Sequence, residues 1–435
     1  MESTAFLTDK YEVTMLQASM ESGLADKKAV FELFARKLPA GRKYGVVAGT
    51  GRAITAVENF RFTEEQLAYL EKDPVINAET IEYLRNFKFS GNITGYHEGD
   101  LYFPNSPILT VEATFGEAVL LETVLLSILN FDSAVASAAS RMVQAGKGMP
   151  VIEMGSRRAN NYAAVAAARA AYIAGFTATS NLQAGLEYGI PTTGTSAHAF
   201  SLAFHDEKEA FRQQVKALGV KTTLLVDTFD IEQGIRNAVE VAGSELGGIR
   251  IDSGDLYEET ANARKLLDEL GAFNTKIILS SDIDEFVIAE LVDRESPVDG
   301  IGAGTKVVTG SGHPTAGMVY KLVAIEEDNG TMRSVAKKAS GKKSVGGRKW
   351  AWRETDSAGQ AIREIIYVRD NPEFIKQYVA TPTMRPLQHI FIEAGETVLE
   401  PTLAEIRTAH ISALSEMRAS DLSIDNGYPA ITATV

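Results

Sequence analysis

Short apolar runs, seven in all, alternate with helix-like stretches between Met149 and Thr305, and this alternation constrains the fold more than any single motif. Read as strands, the runs centre on Val151–Met154, Phe176–Thr179, Pro191–Ala199, Thr222–Asp227, Gly248–Asp252, Ile277–Ser281 and Asp299–Gly304. Strands that alternate with helices pair in parallel, which brings their carboxyl ends to one face of a barrel or sheet. At those ends stand Glu153 with Arg157 and Arg158, Ser180 and Asn181, His198, Asp227, Asp252 with Asp255, Asp282, and Gly302 and Gly304. Such a rim suits a phosphorylated, metal-bound substrate better than an apolar one. Helix caps and turns also place Asp, Ser and Gly at strand ends, so one acid alone means little; a whole rim so equipped points to a site.

The pattern predicts an irregular parallel α/β barrel over residues 131–316 and an α+β sandwich-like domain built from both chain ends, 1–130 and 317–435. In the first part, a capped helix pattern runs from Thr8 to Gly23, a strand from Ala29 to Leu38, and helices between Phe60 and Phe87, where Thr63-Glu64-Glu65-Gln66 supplies a cap. Strands follow over Phe89–Val111, then apolar helices over Gly116–Asn130 and Ala134–Gly146. In the last part, strands are expected at Met318–Glu326, Thr331–Lys338 and Ile362–Val368, with a polar segment at Ala339–Arg348. The basic run Lys337–Lys343 reads as a solvated loop.

With 435 residues and 45% hydrophobic content, the chain can fill both cores. Forty-three Lys and Arg against fifty-seven Asp and Glu give a formal charge of −14, which argues against a general nucleic-acid surface. Cysteine is absent, so disulfides, thiolate catalysis, iron–sulfur clusters and cysteine-ligated zinc are excluded. His97, His198, His205, His313, His389 and His410 share no metal-ligand spacing, and no zinc, haem or flavin is expected. The first residues carry no basic segment followed by an apolar core, and no apolar run reaches about 18 residues, so the default expectation is a cytoplasmic protein without a membrane span.

Individual motifs refine the rim. Arg250-Ile-Asp-Ser-Gly-Asp255 sets two acids across a strand end, where carboxylates can bind a ribose diol or hold Mg²⁺; the bland alternative is a helix cap from Ser253 or Asp255. Gly300-Ile-Gly-Ala-Gly-Thr305 lacks the endings of a P-loop and of a dinucleotide fingerprint, and so fits a monophosphate or a tight turn. His198 follows Gly194-Thr-Ser-Ala and can serve as acid, base or nucleophile, or as a core histidine. Arg141, Arg157 and Arg158 cluster near the first strand and suggest an anionic, planar substrate, with Glu153 able to hold one of them.

These residues also carry a family likeness. Thr8-Asp-Lys-Tyr-Glu-Val-Thr-Met15, Phe31-Glu-Leu-Phe-Ala-Arg-Lys-Leu-Pro39, Glu153-Met-Gly-Ser-Arg-Arg-Ala159, Gly175-Phe-Thr-Ala-Thr-Ser-Asn181, Gly194-Thr-Ser-Ala-His198, Arg250-Ile-Asp-Ser-Gly-Asp-Leu256 and Gly302-Ala-Gly-Thr305, followed by Val319-Tyr-Lys-Leu-Val323, occur in the order and spacing of one family. The chain resembles a nicotinate phosphoribosyltransferase nearly end to end.

The resemblance implies a type II phosphoribosyltransferase fold. It further implies transfer of phosphoribose from phosphoribosyl pyrophosphate to nicotinate, giving nicotinate mononucleotide and pyrophosphate in NAD salvage, with Mg²⁺ and coupled to ATP hydrolysis. By the same resemblance His198 is the histidine that ATP phosphorylates, and Asp252 and Asp282 lie around the ribose and its metal-bound pyrophosphate. Gly302, Gly304 and Thr305 belong to the 5′-phosphate loop, Arg250 to the donor phosphates, and Ser180 to substrate binding. Tyr11 stacks on the pyridine ring from a neighbouring subunit, which implies a homodimer with shared sites. Arg141 and Arg157 are expected to compensate the nicotinate carboxylate and the phosphates.

Two positions depart from the family pattern: Ala199 stands where many relatives have serine, and Val345-Gly-Gly-Arg348 lacks a proline before its glycines. Neither position has an assigned chemical role. The rival readings are a nicotinamide-specific sister enzyme and a silent nucleotide-binding homologue. The Arg157-Arg158 pair favours a carboxylate substrate over an amide, because a buried anion needs a counter-charge.

Overall fold

The computed structural model describes residues 3–337, 345–368 and 379–434. Most of the basic run Lys337–Lys343 lies outside those residues. The chain divides into two compact units, one formed by Met1–Ala134 with Thr315–Val435 and the other by Val135–Pro314.

In the first unit both chain ends enter one sheet. Its order is Met332–Ser334, Met318–Glu326, Lys28–Ala35, Leu109–Thr114, Asn92–Tyr96, Gln388–Glu393, Glu396–Thr397. Lys28–Ala35 lies between Met318–Glu326 and Leu109–Thr114, antiparallel to both. Its run of buried residues fits a strand covered on both faces, and Phe31 stacks on Tyr320 at 4.9 Å. A second sheet orders Met384–Pro386, Lys349–Thr355, Ala361–Val368 and Ala433–Thr434. The Thr63–Gln66 capping box forms as its sequence implies, with hydrogen bonds of 2.9 and 3.3 Å. The helix Leu403–Ser415 adds an element that the sequence reading left unassigned.

Several buried polar groups of this unit are paired, while Glu32 Oε1 and Arg353 Nε have no hydrogen-bond partner among the described residues. Arg353 Nη2 donates to Glu364 Oε1 at 2.6 Å with both side chains fully buried, and Arg385 Nη1 donates to Asp100 Oδ2 at 2.7 Å. Burial would raise the Asp100 carboxyl, but Arg385 and Arg353 outweigh it and hold it down at about 2. His410, on the C-terminal helix, places Nδ1 2.8 Å from the Gly99 carbonyl.

The helix entering the second unit differs from expectation. Two helices broken near Asn130 were predicted; the structure has Phe115–Leu120 followed by one helix, Glu122–Ala145. The apparent break, Phe131-Asp-Ser133, is tolerated because Asp132 accepts from Arg52 at 2.7 Å and Ser133 Oγ exchanges 3.1 Å hydrogen bonds with the Ala48 backbone. By length and composition this 24-residue helix is long and apolar enough to cross a membrane, but 67% of its most apolar stretch is buried within the protein, as in a core helix.

The second unit is a curled parallel α/β sheet, an open half-barrel ordered Ala178–Thr179, Val151–Glu153, Gly300–Ala303, Lys276–Leu279, Gly248–Ile251, Thr223–Leu225. Six predicted strands appear. The segment Pro191–Ala199 instead contributes only a parallel bridge, Thr179 to Thr192, before turning into a loop and the short helix His198–Leu202. Pro191 brings no N–H, and the small polar residues after it offer no apolar face to bury. Helices follow most strands and are capped at the rim: Asn181 accepts from Ala184 N, Asp230 from Gln233 N, Asp255 from Tyr257 N and Glu258 N, and Asp284 from Phe286 N and Val287 N.

The buried histidines of the first unit predict a pH dependence. Burial pushes His410 from 6.5 down to about 4, and burial with His97 does the same to His389. Both stay neutral in the fold while the unfolded chain takes up protons, so stability is full above the unfolded value and falls between about 6.5 and about 4. Urea midpoints should fall from pH 7 to pH 4.5, and His410→Gln should flatten the slope; an unchanged slope would discount this histidine.

Candidate active site

A cavity of about 760 Å³ opens at the carboxyl ends of the parallel strands. Among the described residues, those that line it belong to the second unit. Of the residues singled out in the sequence, Arg157, Ser180, Arg250, Asp252, Asp282, Gly302, Gly304 and Thr305 reach its wall, as does Arg158. The sequence reading placed Thr193 to Ala197, Ser280 and Ser281 only in strand runs and in the motif before His198, without a site role; they also line it. Only their place beside parallel strand ends could have pointed to them.

The wall carries positive charge short of protein partners. Arg250 donates from Nη1 to Thr195 Oγ1 at 3.2 Å and from Nη2 to the Ser196 carbonyl at 3.1 Å, while its buried Nε has no partner among the described residues. Burial pushes this guanidinium below its ordinary value, Asp252 and Asp227 pull it up, and Arg157 pushes it down. An anion beside it would relieve both the repulsion and the missing hydrogen bond. Arg157 and Arg158 are exposed on the one-turn helix Ser156–Arg158 and form no ion pair with described residues.

The carboxylates are placed differently. Asp252 follows the Gly248–Ile251 strand and its Oδ1 accepts from Ser280 Oγ at 3.1 Å, whereas Asp282 is largely exposed, with Lys306 Nζ 3.9 Å away. Asp255, three positions on, acts as the helix cap, so the bland reading holds for that acid. Among the described residues no group of three or more His, Asp or Glu could hold a metal ion. Two carboxylates on a cavity wall still suit Mg²⁺, which keeps several waters and commonly completes its shell with substrate phosphates. On the neighbouring strand, Gly302 must be small: a Cβ there would lie 2.5 Å from Met154 Sδ.

His198 begins its short helix at the edge of the cavity loop, with its side chain 39% exposed. Its Nε2 lies 3.0 Å from Asp227 Oδ1, and the Asp227 side chain is fully buried. The other oxygen of Asp227 accepts from the Asp252 backbone N–H at 2.9 Å and from Ser253 Oγ at 2.7 Å. One carboxylate therefore joins the histidine to the turn that carries Asp252. With Nε2–H donating to Asp227, the imidazole keeps its lone pair on Nδ1. The sequence placed Asp227 at a strand end without a role; its bridging position depends on two neighbouring loops.

Two expectations change. Arg141 is buried, pairs with Glu285 through Nε at 3.0 Å, and does not reach the cavity wall. Glu153 holds no arginine: it accepts from Thr179 Oγ1 at 2.5 Å and from Gly155 N–H, and burial pushes its carboxyl up. Tyr11 belongs to the first unit, where it is 46% exposed and its phenol is pushed up to about 12 by burial and Glu122; it is not among the cavity residues.

The two arginines should separate by stability. Arg141→Met strands Glu285 in the interior and should cost about 3 kcal/mol or more, whereas Arg157→Ala should leave the urea midpoint near that of the parent. Equal midpoints for the two variants would contradict their assignments.

Profiles of two families match the chain: the nicotinate phosphoribosyltransferase (NAPRTase) N-terminal domain over residues 6–130 and the nicotinate phosphoribosyltransferase (NAPRTase) family over 149–363. A nicotinate phosphoribosyltransferase of Mycobacterium tuberculosis is 50% identical over 438 residues, covering 99% of this chain and 95% of its own. One of Bacillus subtilis is 42% identical, covering 81% of this chain and 73% of its own. The crystal structure of human nicotinic acid phosphoribosyltransferase superposes with a TM-score of 0.82 at 25% identity, covering 98% of this chain and 97% of that one. Matched in both halves and nearly end to end, the chain belongs to the nicotinate phosphoribosyltransferase family.

Proposed function

We propose that the protein transfers phosphoribose from phosphoribosyl pyrophosphate to nicotinate, forming nicotinate mononucleotide and pyrophosphate for NAD salvage, and that ATP drives the reaction through a phosphohistidine at His198. The relatives' activity supports the transfer. The observation that carries the coupling is the Asp227 carboxylate, which binds His198 through one oxygen and the Asp252 turn through the other.

In this reading the pyridine nitrogen attacks the anomeric carbon as its bond to pyrophosphate breaks, through an oxocarbenium-like state, and no protein nucleophile is required at that carbon. The protein aligns the base, neutralises the leaving group and excludes water. Arg250 meets donor phosphate with its unpartnered Nε. Asp252 and Asp282 would hold the ribose diol and contribute to holding Mg²⁺, which would supply charge neutralisation for the leaving pyrophosphate. Gly302, Gly304 and Thr305 receive the 5′-phosphate through backbone N–H groups and a hydroxyl. Ser180 faces the base. Arg157 takes the nicotinate carboxylate, a role that Arg141 cannot share while paired to Glu285.

Phosphorylation of His198 at Nδ1 would add about −1.5 to −2 charges at the cavity edge. Asp227 would hold the ring through Nε2–H and pass the change to the backbone of Asp252. The functional unit is a cytoplasmic homodimer in which Tyr11 completes the neighbouring site. Arg157 and Arg158, which form no ion pair with described residues, favour nicotinate over the neutral amide.

The decisive assay compares nicotinate with nicotinamide, each with phosphoribosyl pyrophosphate and Mg²⁺, with and without ATP. Nicotinate mononucleotide should form faster with ATP and nicotinamide should give no product; turnover of nicotinamide alone would transfer the assignment to the sister activity. His198→Ala should keep basal transfer and lose ATP stimulation, while Asp252→Asn should impair transfer under both conditions. ATP stimulation equal to the parent's in His198→Ala would remove the phosphohistidine.

A further inference from the structure

The turns that follow the first two parallel strands are tied by a closed hydrogen-bond circuit. Glu153 Oε1 accepts from the Gly155 N–H and Oε2 accepts from Thr179 Oγ1 at 2.5 Å. The same Thr179 oxygen accepts from the Asn181 N–H at 3.0 Å. Asn181 Nδ2 donates to Ser156 Oγ at 2.9 Å, and Ser156 adjoins Gly155, which closes the loop. The Ser180 N–H adds a backbone tie to the Glu153 carbonyl at 2.8 Å. Glu153 and Thr179 are fully buried.

The residues that the circuit holds on either side are Arg157, directly after Ser156, and Ser180, between Thr179 and Asn181; both reach the cavity wall, while Glu153, Thr179 and Asn181 do not. A buried carboxyl without a cation is a costly way to fix an ordinary turn, because each oxygen must find a donor. The circuit meets that demand with one hydroxyl and one backbone amide. It leaves little slack between the two turns, and Gly155 packs so closely that a Cβ would lie 2.2 Å from Val308 Cγ1.

We propose that Glu153, Thr179 and Asn181 are positioning residues that fix the spacing of Arg157 and Ser180 and thereby set the preference for an acid over an amide on the pyridine ring. The inference rests on the proposed nicotinate transfer. A guanidinium binds a carboxylate in bidentate fashion only when its plane is aligned, so a loosened turn weakens the acid more than it weakens the phosphoribosyl donor.

Thr179→Val keeps the shape and removes the hydroxyl at the centre of the circuit; Thr179→Ser restores it. In Thr179→Val the KM for nicotinate should rise about 10-fold, with the KM for phosphoribosyl pyrophosphate within about 2-fold of the parent and nicotinate-to-nicotinamide discrimination reduced. Thr179→Ser should return all three toward the parent. An unchanged nicotinate KM, a parallel rise in both KM values, or a failure of serine to rescue would each overturn the proposal. If Thr179→Val does not fold, Asn181→Ser carries the test: serine still caps the helix that begins at Leu182 but is too short to reach Ser156, and the same split in KM is expected. Absence of nicotinate turnover in the parent would instead overturn the functional reading, which separates the two failures.

Discussion

Parallel pairing is the constraint on which the second unit depends. Each strand from Thr223–Leu225 to Ala178–Thr179 runs in the same direction as its neighbours, so every chain reversal at the carboxyl end falls on one face. The ladder itself is short and apolar, but it decides where polar residues gather. Asp252, Asp282, Ser180 and the Gly302–Thr305 segment meet at one cavity because each lies at or just past the end of a different strand.

Within that rim, charge balance separates binding groups from scaffold. Arg141 and Glu285 neutralise each other in the interior, as Arg353 and Glu364 do in the other unit. Arg157, Arg158 and the Nε of Arg250 lack acceptors among the described residues. Buried pairs of the first kind contribute little net stability yet are costly to break, whereas groups of the second kind gain most from an anionic ligand. The same distinction applies to the acids: Asp255 and Asp284 spend their oxygens on helix caps, Asp227 bridges two loops, and Asp252 and Asp282 remain at the wall.

Much of this was legible in the chain. The runs at Val151, Thr222, Gly248, Ile277 and Asp299 became strands because alternation of short apolar segments with amphipathic helices has few other packed solutions. The run at Pro191 did not, since apolar content alone cannot report that a proline and a string of small polar residues leave nothing to pair or bury. The break expected near Asn130 failed for a related reason: Asp132 and Ser133 look like helix stoppers until Arg52 and the Ala48 backbone take up their polar atoms.

The sequence by itself determined the parallel α/β character of the middle of the chain, the joining of its two ends in another unit, and the residue types present at the rim. Those follow from period, composition and motif, which are local. Tertiary structure alone decided that Arg141 turns inward to Glu285, that Glu153 binds Thr179 rather than an arginine, and that Asp227 joins His198 to the Asp252 turn. Each of those choices depends on which polar partner lies within about 3 Å, a distance set by how separate βα units pack and not encoded in any one of them.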